Sequence, residues 1–136
     1  MRLIVPSKIQ KFIENRDEKE EVSIIQNRER CGVLIGKKNG EALIVKEIVE
    51  IRNLSENPYL FRMDPEELCR VWMDAEKRGL EVLAVFHTHP HGFARPSSHD
   101  LESLKQTGLI WVIVGLDGVR AYIYKEKLME LEVQLI

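Results

Sequence analysis

The sequence predicts one domain of the α/β (α+β) class, a mixed sheet with about three helices packed on it. Three observations carry this expectation. Short aliphatic runs bounded by Gly, Asn and Asp turn signals outnumber the stretches with a helical period. One run, Val82-Leu83-Ala84-Val85-Phe86, is apolar throughout, as expected of a strand covered on both faces. Finally, 136 residues with 44% hydrophobic content can bury one sizeable core but not two, so residues 1-136 read as a single domain.

Taken in chain order, Ser7-Lys8-Ile9-Gln10 has the form of a capping box, and Ile9, Phe12 and Ile13 follow at i, i+3, i+4 spacing, so a first helix is expected to begin near Ser7. Its end is left open, because the charge run Asp17 to Glu21 and Val22-Ser23-Ile24-Ile25 fit either a helix or a loop. Cys31 to Gly36 and Ala42 to Ile51 are two aliphatic runs separated by Lys37-Lys38-Asn39-Gly40, whose Asn-Gly predicts a hairpin with a two-residue turn. Arg52 to Met63 lacks a period and holds Asn57-Pro58, which reads as a long functional loop. Asp64 caps the next helix with Pro65 at its first position; Leu68, Val71, Trp72 and Ala75 make its apolar stripe, and Gly79 stops it. The central strand follows at Glu81 to His89. Ser97 or Ser98 opens a short helix that ends before Gly108. Leu109 to Val114 and Val119 to Tyr124 are strands joined through Leu116-Asp117-Gly118, and Leu128 to Ile136 is expected as a last edge strand.

Composition excludes several classes of partner. Twenty Lys and Arg against 22 Asp and Glu leave a net charge of -2, so no broad basic surface exists to neutralise a phosphate backbone and no nucleic acid is expected. Before Pro6 the N-terminus offers only the apolar run Leu3-Ile4-Val5, too short for a signal sequence or membrane span, which points to a cytoplasmic protein without membrane partners. Two cysteines, Cys31 and Cys69, are too few for a disulfide framework and read as reduced, buried thiols.

The four histidines all fall between positions 87 and 99. His87 and His89 are two apart at the end of the central strand, and strand alternation points both imidazoles to one side. Pro90 takes the chain out of the sheet, and Gly92 and Pro96 shape a loop returning to Ser97-Ser98-His99-Asp100, which sets Asp100 in the first turn of the next helix. Two His and one carboxylate with a fourth position open suit a catalytic Zn²⁺. Each half has a plain structural reading: a hydrogen-bonded His pair, and a Ser97-x-x-Asp100 capping box. Their joint occurrence at one spacing favours the metal. His91 and His99 have no such support as ligands.

Together, His87-Thr88-His89-Pro90, the seven residues between His89 and Ser97, and Ser97-Ser98-His99-Asp100 resemble the H-x-H-x7-S-x-x-D signature of the JAMM (MPN+) metalloproteases. Upstream, Glu29-Arg30-Cys31-Gly32-Val33-Leu34-Ile35-Gly36 is similar to the E-x-C-G-x-L-x-G stretch of the same family. The resemblance spans essentially the whole chain. It implies a curved mixed sheet sandwiched by helices and related to the deaminase fold, with His87, His89 and Asp100 ligating one Zn²⁺ per chain, Glu29 serving as general base for the attacking water, and Ser97 stabilising the oxyanion. The implied reaction is hydrolysis after the C-terminal Gly-Gly tail of a ubiquitin-like modifier or sulfur-carrier protein. Such a tail is expected to add to a sheet edge beside the site, walled by Arg52 to Met63.

Leu101 to Leu109 runs almost directly into the next strand, with no room for the insertion of chain-specific deubiquitinases, so the resemblance favours the compact archaeal and bacterial members; it leaves a homodimer open. Competing readings are a sulfur-carrier processing hydrolase in cofactor or cysteine synthesis, a non-catalytic MPN-type scaffold binding ubiquitin-like proteins, and a DNA-repair-associated relative. The scaffold is disfavoured by the complete ligand set, the DNA-repair relative by the acidic charge and the Glu29-Arg30-Cys31-Gly32 stretch. A deaminase lacks support because no P-C-x-x-C is present, and no H-E-x-x-H helix exists either.

Overall fold

The computed structural model describes residues 1–14 and 28–136. Seven strands form its framework: β1 (Arg2–Val5), β2 (Cys31–Asn39), β3 (Ala42–Ile51), β4 (Glu81–Thr88), β5 (Trp111–Gly115), β6 (Gly118–Lys125) and β7 (Lys127–Leu135). Three α-helices lie between them: α1 (Lys11–Glu14), which continues a 3-10 turn at Ser7–Gln10, α2 (Pro65–Lys77) and α3 (Ser98–Thr107). The mixed sheet and three helices expected from the sequence are both present. The sheet curves until it closes, in the order β1-β3-β2-β4-β5-β6-β7, with β1 and β7 pairing in parallel at the seam.

Several details differ from expectation. The four-residue strand β1 is too short to stand out in the sequence and is recruited by its long-range partners β3 and β7. The last strand is shared between two partners: β6 pairs with its residues 127–131 and β1 with its residues 132–135, so each half keeps one open flank among the described residues. At Ser7 no capping box forms: Pro6 occupies the cap position, makes no side-chain cap, and the first turn is 3-10 rather than α. The expectations for Asp17 to Glu21 and for Val22 to Ile25 lie outside the described residues. In the β2–β3 hairpin Asn39 pairs with Ala42, so the turn residues are Gly40 and Glu41. Gly40 has φ +61° and Glu41 no positive φ, so Gly holds the first central position rather than following an Asn in it.

The caps of the later helices match the sequence reading. Asp64 accepts hydrogen bonds from the Glu66 and Glu67 amides ahead of α2, and Ser97 and Asp100 make a reciprocal box ahead of α3, which Gly108 ends at φ +64°. Strand alternation splits the core into an inner and an outer face. Leu3, Leu34, Val45, Phe86, Val112 and Ile123 pack inside the curved sheet with Ile9 and, from α1, Phe12 and Ile13. Outside, Leu68, Val71 and Ala75 of α2 cover Val33, Ile35 and Ile51, while Leu104 of α3 covers Val85, Ile113 and Tyr122. On β4, then, Phe86 points in and Val85 out, and His87 continues the outward row toward the N-terminus of α3.

Candidate metal centre

His87 ends the buried outward row of β4, and His89 follows where the chain leaves the sheet. Their Nε2 atoms stand 3.1 Å apart. Asp100, presented by the first turn of α3, brings Oδ2 to 3.1 Å from His87 Nε2 and 3.0 Å from His89 Nε2. The Ser97 amide donates to that same oxygen at 3.0 Å, and the Asp100 amide donates to Ser97 Oγ at 3.1 Å, so the cap of α3 also locks the carboxylate. Glu29 enters from the segment before β2, with Oε1 3.7 Å from His89 Nε2. All four groups named from the sequence meet in one place. Glu29, His87 and His89 by themselves offer ligand atoms within 4.8 Å of one another, yet Asp100 lies nearer to both imidazoles than Glu29 does to His89.

The proton inventory of this cluster calls for a cation. His89 Nδ1 lies 2.8 Å from the Phe93 carbonyl oxygen, which can only accept, so Nδ1 carries the hydrogen. In the neutral ring Nε2 is then a bare lone pair facing an Asp100 oxygen at 3.0 Å, two acceptors with nothing between them. A proton or a metal ion must satisfy that contact. The three separations of 3.0 and 3.1 Å also approach the edge of about 3.3 Å that a tetrahedron with metal bonds of about 2.0 to 2.1 Å requires. Two nitrogens and a carboxylate oxygen are a donor set of the hardness a divalent transition ion takes. The residues present therefore fit a metal ion.

Local electrostatics point the same way. Burial opposes ionisation of Asp100, but donation from His87 and, when its ring is protonated, from His89 outweighs it and holds the carboxyl well below its usual range. Burial lowers His87 and keeps its ring neutral, the state a ligand needs. Burial also acts to lower His89, but its hydrogen bonds to Asp100 and to Phe93 raise it. Glu29 is pushed up to about 8, first by burial and then by the Asp100 charge, with His89 pulling the other way. A cation at the cluster would favour its charged form.

Residues that the sequence did not single out hold this geometry. Phe61 stacks on the His87 ring with centroids 4.5 Å apart, and Trp111 meets it edge-on at 5.5 Å. The loop after His89 is tied to the β5–β6 hairpin: Leu116 N–H donates to the Gly92 carbonyl at 2.8 Å, Ala94 N–H to Asp117 Oδ1 at 2.7 Å, and Tyr122 OH to the Ala94 carbonyl at 2.7 Å. Gly115 lies under that loop so closely that an added Cβ would sit 2.3 Å from Ala94 N. These contacts join segments remote in sequence, and no local pattern announces them.

A cavity of about 420 Å³ opens above the cluster, lined by Glu29, Pro58, Tyr59, His89, Pro90, His91, Gly92 and Ser97. Pro58 and Tyr59 come from the long loop, which thus forms the wall expected of it. Ser97 faces the cavity while serving as cap; its Oγ accepts from Asp100 N and still has its own proton to donate. His99 is exposed on a neighbouring groove and does not join the cluster, whereas His91 lies at the cavity rim. Of the cysteines, Cys31 is buried as expected, but Cys69 is exposed on α2, because it falls off the apolar stripe. Among the described residues, no helix is long and apolar enough to cross a membrane.

Comparison with known proteins assigns the family. The prokaryotic homologs of the JAB domain match residues 14–126. A desampylase of Pyrococcus furiosus is 39% identical over 109 residues, covering 79% of this chain and 75% of that one. A probable TtuB-protein conjugate cleaving protease of Thermus thermophilus is 31% identical over 100 residues, covering 73% of this chain and 64% of that one. Among solved structures, a Desulfitobacterium hafniense protein superposes with TM-score 0.79 at 26% identity, covering 100% of this chain and 93% of that one. A JAB1/MPN domain protein from Archaeoglobus fulgidus shares the fold with TM-score 0.55 at 19% identity, covering 98% and 96%. With its fold, its cluster of His87, His89, Asp100 and Glu29, and these matches in agreement, the chain belongs to the prokaryotic JAB-domain family.

Proposed function

We propose that the chain is a zinc-dependent peptidase that hydrolyses the bond after the C-terminal Gly-Gly tail of a ubiquitin-like modifier or sulfur-carrier protein. The observation that carries this reading is the close contact of His89 Nε2 and His87 Nε2 with one Asp100 oxygen, which only a proton or a metal ion can bridge, beside a buried Glu29 whose Oε2 has no partner among the described residues. His87, His89 and Asp100 would hold the zinc, and the donor set of two imidazoles and one carboxylate is that of a catalytic site with a position open. When bound, the ion supplies Lewis acidity toward a carbonyl and lowers the pKa of water.

The chain's own residues supply the rest. Glu29, at the cavity wall and within 3.7 Å of His89, accepts the proton of the attacking water and returns it to the leaving amine. A buried carboxyl beside the metal ligands is placed to act in both directions of transfer. Ser97 donates its hydroxyl proton to the oxygen that gains charge, from a position already fixed by the cap of α3. The cavity accommodates a narrow glycine tail between Tyr59 and the Pro90-His91-Gly92 turn. Main-chain partners for that tail come from the 53–63 loop or from the adjoining end of β3, where the register with β1 covers only Ala42–Ile44 and residues 45–51 pair with β2 alone among the described residues.

The Pyrococcus and Thermus relatives, a desampylase and a probable TtuB-protein conjugate cleaving protease, support a protein conjugate as the substrate class. We take residues 1–136 as one domain acting without nucleic acid or membrane. The test is direct: purified protein should carry about one zinc per chain and cleave an amide after the Gly-Gly terminus of a ubiquitin-like protein. Cleavage should stop with a chelator and return with zinc. Turnover unaffected by Glu29→Gln would overturn the assigned base.

A further inference from the structure

Glu29 poses a problem of aim. Its Oε2 is buried with no hydrogen-bond partner among the described residues, and its Oε1 reaches only to 3.7 Å from His89. Among the described residues no hydrogen bond to Oε2 fixes its direction. The backbone that carries it lies before β2, outside the regular ladder.

That backbone is held by two side chains. The carbonyl of the Glu29–Arg30 peptide accepts a hydrogen bond from Asn53 Nδ2 at 2.8 Å, and the N–H of the same peptide donates to Thr88 Oγ1 at 2.9 Å. Thr88 N–H in turn donates to the Arg30 carbonyl at 2.9 Å. In a continued antiparallel pair Arg30 N–H would go to the Thr88 carbonyl, and the hydroxyl takes its place as the strand bends away. A peptide plane gripped at both its oxygen and its hydrogen cannot rotate without breaking one bond, and the Cα–Cβ direction of Glu29 turns with that plane. Both clamps sit where they matter. Thr88, 1% exposed, stands between His87 and His89. Asn53 uses its Oδ1 to accept from the Ser55 and Arg62 amides, each at 2.9 Å, and bridges to Met63, which closes the neck of the loop bearing Pro58 and Tyr59.

We propose that Asn53 and Thr88 are positioning residues that pin the Glu29–Arg30 peptide and so aim the Glu29 carboxylate, and that Asn53 couples this aim to the 53–63 loop walling the cavity. The proposal rests on the reading of Glu29 as proton acceptor given above. A misplacement of about 1 Å in such a group can cost about 10²-fold in rate.

Thr88→Val keeps the shape and removes the acceptor, while Thr88→Ser keeps the acceptor. With a ubiquitin-like protein carrying a coumarin amide on its C-terminal Gly-Gly as probe, Thr88→Val should lower kcat by about 10- to 100-fold with KM within about twofold, zinc still bound, and Thr88→Ser should restore kcat. Asn53→Asp keeps the acceptor for Ser55 and Arg62 and loses the donor to Glu29, so kcat should fall while KM holds. A wild-type kcat in Thr88→Val or in Asn53→Asp, or equal losses in Thr88→Val and Thr88→Ser, overturns the proposal. Amide hydrogen exchange at Arg30 gives a readout independent of turnover: faster in Thr88→Val than in Thr88→Ser is expected, and equal rates overturn the clamp. If wild type leaves the probe intact while Arg30 exchange behaves as expected, it is the peptidase reading that fails.

Discussion

Replacing Glu29 by Gln should make the metal-free protein more stable, and increasingly so as pH rises. In the unfolded chain the carboxyl titrates near 4.5, while in the folded, metal-free protein burial and the Asp100 charge push it up to about 8. Below pH 4.5 both states hold the proton and nothing is lost. Between 4.5 and about 8 the folded state binds more protons than the unfolded one, so stability falls with rising pH across that window. At about 1.4 kcal/mol per pH unit, the penalty is on the order of 3 kcal/mol at pH 7 and on the order of 5 above pH 8. The Glu29 side chain is only 7% exposed, so solvent screening removes little of this. The side-chain amide of the Glu29→Gln variant does not titrate, and the wild-type deficit should appear as a pH-dependent gap between the two urea-unfolding free energies of chelator-treated protein. The gap should be smallest at pH 4.5, widen through pH 7 and level off above 8. A gap independent of pH, or one that narrows as pH rises, would refute the reasoning. Saturating zinc should shrink the gap, because a nearby cation favours the carboxylate.

Three further outcomes are expected. His89→Ala should abolish stoichiometric zinc by elemental analysis while leaving the far-ultraviolet circular dichroism spectrum unchanged, since His89 lies beyond the end of β4. Gly115→Ala drives a methyl to 2.3 Å from Ala94 N; an overpacking cost of about 1 to 3 kcal/mol should lower the melting temperature, and the shifted Phe93 carbonyl should weaken zinc affinity in a competition titration. Under native conditions at pH 8, iodoacetamide should modify the exposed Cys69 and spare Cys31, whose thiol burial pushes up to about 12, with the Glu50, Glu29 and Glu67 charges adding to it; peptide mass spectrometry distinguishes the two.

Where the sequence was legible, the information was local. The caps of α2 and α3, the apolar run of β4 and the glycine turns each lie within a few residues of the structure they specify. So do His87, His89 and Asp100, because a strand end and a helix start are joined by one short loop. Glu29 was reached only by resemblance, since an Arg28-Glu29-Arg30 trio by itself reads as solvated surface. What could not be read were pairings between distant segments. Examples are Phe61 on His87, Asn53 on the Glu29 carbonyl, Tyr122 under the Ala94 carbonyl and β1 against β7. The hairpin turn slipped by one residue for a related reason: Asn39 satisfies its propensity equally well as the last strand residue, and the cross-strand register decides between the two.

The seam between β1 and β7 bears on how the molecule assembles. Leu3 and Val5 are fully buried in the finished fold, yet one flank of their strand is completed only by residues 132–135. During synthesis on a ribosome, β1 can dock on β3 early but must then wait through most of translation with a row of amides and carbonyls unsatisfied. Contacts of such long sequence separation form slowly, and an unmet strand invites pairing with other chains. Nascent protein truncated before Lys127 should therefore be the species most dependent on chaperones.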